Sequence, residues 1–67
     1  MTMIEYLLYI AKNKGFLIGE ESRLSEVKPE DVLRMERSHF IEIDYKDNQV
    51  YSVSLTDKGY DYLFFLD

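Results

Sequence analysis

The 67-residue chain predicts a small α+β domain in which three helices precede a two-stranded β-hairpin and a last helix. Three observations carry this prediction: a helix-capping pattern at the start, a proline followed by two acids, and two alternating apolar stretches in residues 40–63. The length predicts a single domain over residues 1–67, close to the lower limit for a chain without disulfides. Dimerisation is a common remedy for so small a core.

The first helix is predicted to begin at once, because Thr2 and Glu5 form a T-x-x-E capping box. It is expected to end at residues 13–15, where a glycine suits a left-handed cap. Helical spacing predicts a buried stripe made of Ile4, Leu7, Leu8 and Ala11.

The middle of the chain predicts a short strand over residues 16–18, a short second helix over residues 20–27, and a third helix. Pro29 suits the first turn of that third helix, where its missing N–H costs nothing. The third helix is expected to run to about Ser38. The inward-facing residues predicted for these two helices are Leu24, Val27, Val32, Leu33 and Met35.

The hairpin register follows from its apolar faces, since a slip of one residue moves every side chain to the other face. Matching apolar with apolar pairs residue 45 with 51, 43 with 53, and 41 with 55. A two-residue loop would set Ile43 against Ser52, so the expected loop has three residues, 47–49, or is a five-residue variant.

The last helix is predicted to be capped by Thr56. Its expected buried stripe consists of Tyr60, Leu63 and Phe64.

The order of these elements resembles that of winged helix-turn-helix domains. Residues 55–63, LTDKGYDYL, are similar to the L-T-x-K-G-x-x-x-L segment that follows the wing in many MarR-type and PadR-type regulators. Residues 38–43, SHFIEI, stand where many such domains have a Glu-Gly-Leu-Ile exit from the third helix, with His39 in place of the glycine. Both matches lie within residues 38–63.

This resemblance implies a transcriptional regulator that binds double-stranded DNA, with the third helix in the major groove and the hairpin as the wing. Arg34 and Arg37 would then face the bases, and Lys46 would lie beside the wing tip. The residues expected near phosphates are Arg23, Lys28 and Ser38. In an alternative interpretation, Glu30, Arg34 and Arg37 form an ordinary solvated ion-pair face.

The net charge of −5 favours a second hypothesis, because nucleic-acid binders usually carry a basic surface. The expected wing tip is also poor for phosphate, since Asp44 and Asp47 flank Lys46. The alternative is an acidic winged-helix module that binds or inhibits a protein partner. Small acidic domains of this sort are frequent in phage and prophage genomes, so a phage origin is part of this hypothesis.

Aromatic residues on the terminal helices predict a homodimer or partner interface, since Tyr and Phe are favoured at interface centres. The residues expected on the outer faces are Tyr6, Tyr9, Tyr62, Phe65 and Leu66. The alternative is that these rings complete the domain's own core.

Several function classes lack the residues that they need. The chain has no cysteine and one histidine, His39, so we expect no disulfide, no metal site and no nucleophile–base pair. Its three glycines are isolated and form no phosphate-binding loop. We expect neither an enzyme nor a cofactor. No apolar run approaches the roughly 18 residues of a membrane span, and a signal peptide is not indicated, so the expected compartment is the cytoplasm.

Overall fold

A computed structural model describes residues 1–64 and has an α+β architecture. Its α-helices are α1 (Met3–Lys12), α2 (Pro29–Arg37) and α3 (Asp57–Phe64). Its strands are β1 (Phe16–Ile18), β2 (Ile41–Lys46) and β3 (Gln49–Leu55), which form one antiparallel sheet in the order β1-β3-β2. Two short 3₁₀ helices, Gly19–Ser22 and Leu24–Glu26, connect β1 to α2. The strand predicted at residues 16–18 therefore extends the hairpin to a three-stranded sheet.

The predicted second helix over residues 20–27 is wrong, because two 3₁₀ turns take its place. Arg23 separates them with a left-handed backbone, φ +49°. Hydroxyl groups on α1 explain the break: Tyr6 donates a hydrogen bond to the Ser22 carbonyl, and Tyr9 donates one to the Glu21 carbonyl. An α-helix would have needed both carbonyls for its own backbone bonds.

Helix α1 begins as predicted, with both hydrogen bonds of the capping box between Thr2 and Glu5 present. The buried face of α1 differs from the predicted stripe, of which Leu7 alone is fully buried. Tyr6 is fully buried, whereas Ile4 is 40% exposed and Leu8 38% exposed. The core stripe of α1 therefore consists of Tyr6, Leu7 and Ile10.

The hairpin confirms two predicted pairs, Ile41 with Leu55 and Ile43 with Val53. Nearer the tip the prediction is wrong, because Tyr45 pairs with Val50 and leaves Tyr51 as the extra residue of a β-bulge. That bulge absorbs the one-residue slip, so the loop has only two residues, 47–48. Both have positive φ, +53° and +64°, as a type I′ turn requires.

Contacts at the junction before α3 show why the sequence has a threonine at position 56 and a glycine at position 59. The Thr56 hydroxyl accepts a hydrogen bond from the Gly59 N–H at 3.1 Å and donates one to the His39 carbonyl. A side chain at Gly59 would overlap the Phe40 carbonyl and Leu55, so only glycine lets α3 approach this closely. The predicted burial of Phe64 is wrong, since its side chain is 60% exposed.

Candidate functional site

The outer face of α2 is the first candidate surface. Met35 points into the core and fixes the rotation of the helix. The opposite side bounds a shallow depression of about 350 Å³, lined by Glu30, Leu33, Arg34, Arg37 and Ser38. Leu33 was predicted to face inward and is instead 47% exposed, so this part of the prediction is wrong.

The two arginines of this face are exposed. The predicted alternative, an ion-pair face with Glu30, is absent, because the Arg23–Glu26 pair is the one salt bridge within 4 Å in residues 1–64. Arg34 and Arg37 lie about one helical turn apart in the second half of α2. Their guanidinium groups therefore remain available to an external anion.

Arg23, which was expected near phosphate, forms an ion pair with Glu26. Its guanidinium donates two hydrogen bonds to the Glu26 carboxylate, at 2.5 and 2.7 Å, and lies 5.3 Å from the centre of the Tyr9 ring. This pairing holds the pKa of Glu26 below its usual range and raises the pKa of Arg23. Both side chains of this pair are about half exposed, and the expected contact of Arg23 with phosphate stays a prediction.

The other two basic candidates lie outside the lining of this depression. Lys28 is exposed and immediately precedes α2. Lys46 is the last residue of β2, and its ammonium group lies 5.7 Å from the centre of the Tyr51 ring. Asp44 accepts a hydrogen bond from the Ser52 hydroxyl at 3.2 Å, and Asp47 occupies the turn.

An apolar groove beside α2 is the second candidate surface, and sequence reasoning missed it. It lies between the second 3₁₀ helix, α2 and the hairpin, with a volume of about 570 Å³. Its lining residues are Leu24, Ser25, Val27, Pro29, Val32, Leu33, Glu36 and Val50. Leu24 and Ser25 of the second 3₁₀ helix form part of its lining, and periodicity alone did not indicate this conformation.

The predicted interface residues do not share one exposed face. Tyr6 is buried, so its expected place on an outer surface is wrong; its hydroxyl bonds to the Ser22 carbonyl at 2.6 Å, and burial raises its pKa to about 12. Tyr9 is half-buried against the 3₁₀ segment. Tyr62 stacks on Phe40, with ring centres 4.5 Å apart. Phe65 and Leu66 lie outside the described residues, and dimerisation stays a prediction.

The described part of the chain has neither a metal-binding cluster nor a membrane-spanning helix. Residues 1–64 contain no group of three His, Cys, Asp or Glu side chains placed to hold a metal ion. None of the helices within this range is long and apolar enough to cross a membrane. His39, the single histidine, adopts φ +60° just after α2 ends.

Comparison with known proteins found no match for this chain among protein-family models, curated proteins or solved structures. Its function is therefore inferred from the two surfaces beside α2.

Proposed function

We propose that this protein is a small winged-helix DNA-binding protein that acts as a transcriptional regulator. The order helix, strand, short turns, helix, hairpin and helix supports this fold assignment, with α2 as the recognition helix and the β2–β3 hairpin as the wing. The observation that carries the proposal is the exposure of Arg34 and Arg37 on one side of α2, without a carboxylate partner in residues 1–64.

The chemistry assigns different roles to the four basic residues. Arginine matches the two acceptors on the major-groove edge of guanine, so Arg34 and Arg37 are the base-reading candidates. Lys28, which precedes α2, and Lys46, at the end of β2, are the phosphate candidates, because an ammonium group suits phosphate oxygens as a point charge. Contacts between cations and phosphate release counterions, so binding is expected to weaken as salt rises, while the net charge of −5 adds a repulsion from DNA.

Fluorescence anisotropy with a labelled generic duplex, measured across a salt series, tests this function. If Lys28 and Lys46 are the two phosphate contacts, the slope of log K against log salt is about −1.8, from about 0.9 for each contact. Arg34→Ala/Arg37→Ala should weaken binding at least tenfold. Lys12→Ala/Lys58→Ala removes the same charge from exposed positions on α1 and α3, and is the matched control. Equal losses in the two double variants would contradict a role for α2.

Protein interaction is the second candidate function, and the apolar groove beside α2 favours it together with the acidic net charge. Protein–DNA interfaces are polar and basic. Protein–protein interfaces are apolar at their centres, so an apolar groove fits a protein partner better than a duplex. If the duplex does not bind even at low salt, DNA binding is refuted and the second function becomes the working model.

A further inference from the structure

The apolar groove has walls from three parts of the chain. The second 3₁₀ helix supplies Leu24, α2 supplies Val32 and Leu33, and β3 supplies Val50. Leu33 is 47% exposed at the rim, while Val27, at the groove, is buried. Glu36 is the one ionisable residue in the lining. The groove thus combines an apolar floor with a single carboxylate at its side.

The openness of the groove favours a partner that lies across it over an enclosed small molecule. Small-molecule pockets usually bury 70–90% of the ligand surface, whereas this groove is widely open to solvent. An amphipathic helix suits such a surface, because its apolar face lies in the groove while its polar face stays in water.

Charge selects the kind of partner. The charge in the lining of the groove is the carboxylate of Glu36, and the chain as a whole carries a net charge of −5. Glu36 has no salt-bridge partner within residues 1–64. A second copy of this chain would bring another net charge of −5 to the same surface, which is unfavourable. A cationic partner would complement it.

We propose that this groove binds a basic amphipathic helix of another protein, with apolar side chains on the floor and a Lys or Arg beside Glu36. This inference rests on the second candidate function and does not depend on DNA binding. It adds the surface, the chemical class of the partner and the residue that selects for positive charge.

The test uses a defined probe, a fluorescein-labelled 16-residue amphipathic peptide of leucine and lysine. Its two controls are a scrambled peptide and one with glutamate in place of lysine. Glu36→Lys should weaken lysine-peptide binding at least tenfold and strengthen glutamate-peptide binding. Glu42→Lys changes the net charge equally at an exposed site on β2, outside the groove, and should change either affinity less than twofold. Leu33→Ser, at an exposed position, should weaken binding of both peptides at least fivefold.

Each outcome decides the proposal. Saturable binding with the predicted difference between Glu36→Lys and Glu42→Lys supports it. Equal effects of these two variants would mean general electrostatic attraction and would overturn it, as would equal binding of the scrambled peptide or no binding at millimolar concentration. A dimer in sedimentation that Leu33→Ser converts to monomer would identify a second copy as the occupant and also overturn it. Duplex binding by the same samples separates failure of this inference from failure of the DNA proposal.

Discussion

Replacing Tyr6 by phenylalanine should destabilise the fold by about 1–3 kcal/mol at pH 7. The ring keeps its buried place, but the Ser22 carbonyl loses the hydroxyl that donates to it at 2.6 Å. A buried acceptor left without a donor costs about 1–3 kcal/mol. For a domain of this size each kcal/mol lowers Tm by roughly 4–8 °C. Urea unfolding followed by circular dichroism measures the difference.

The same tyrosine gives this prediction a second, pH-dependent part. Burial raises the pKa of Tyr6 to about 12, from an ordinary value of 10.0, so the native state holds this proton to higher pH than the unfolded state. The stability contributed by the neutral phenol is complete below pH 10 and is lost as pH rises toward 12, by up to about 3 kcal/mol. Phenylalanine cannot ionise, so the difference between wild type and Tyr6→Phe should shrink between pH 10 and 12.

The matched control is Tyr9→Phe, which removes a hydroxyl from a half-buried ring whose hydrogen bond, to the carbonyl of the exposed residue Glu21, is open to solvent. It should cost less than about 1 kcal/mol, because water can replace that bond. If Tyr6→Phe is as stable as wild type at pH 7, the buried hydrogen bond is not important. If the difference at pH 7 persists unchanged at pH 12, the assigned titration is incorrect.

Three further substitutions test the backbone conformations of the junctions. His39→Gly should stabilise the fold by about 0.5–1 kcal/mol in urea unfolding, because glycine adopts φ +60° without strain; lower stability would contradict the left-handed assignment. Gly59→Ala should cost about 1–3 kcal/mol although alanine favours helices, through overlap with the Phe40 carbonyl, and a gain would refute the close approach. Gly15→Ala should be destabilising through φ +79° and overlap with the Tyr60 hydroxyl, and Tyr60→Phe should recover about 1 kcal/mol of that loss; strict additivity in the double-mutant cycle would exclude the contact.

The sequence predicted those parts of the fold that depend on local signals. The capping box of α1, the proline start of α2 and two pairs of the hairpin register are confirmed. Errors arose where a distant group changed the local preference. The second helix failed because hydroxyls on α1 take two of its carbonyls, and the hairpin loop was misjudged because a bulge at Tyr51 shifts the register.

The candidate site was predictable in the same partial way. The positions of Arg34 and Arg37 on one side of a helix follow from their spacing, and the structure finds both exposed. The ion pair between Arg23 and Glu26 and the apolar groove both involve the 3₁₀ segment, whose conformation the apolar spacing did not indicate. The prediction for Tyr6 was wrong because it placed this tyrosine on an outer face. The ring is buried instead, and its hydroxyl donates a hydrogen bond to the buried Ser22 carbonyl.

The two surfaces on which the proposed functions depend share one lining residue, Leu33. Leu33 lines both the depression that contains Arg34 and Arg37 and the apolar groove that contains Glu36. A helix bound in the groove would cover Leu33 and stand against the edge of the surface proposed for DNA. If the two occupants compete at this residue, each would lower the apparent affinity of the other. Helix α2, exposed on both sides of this leucine, would then connect a protein partner to the control of DNA binding.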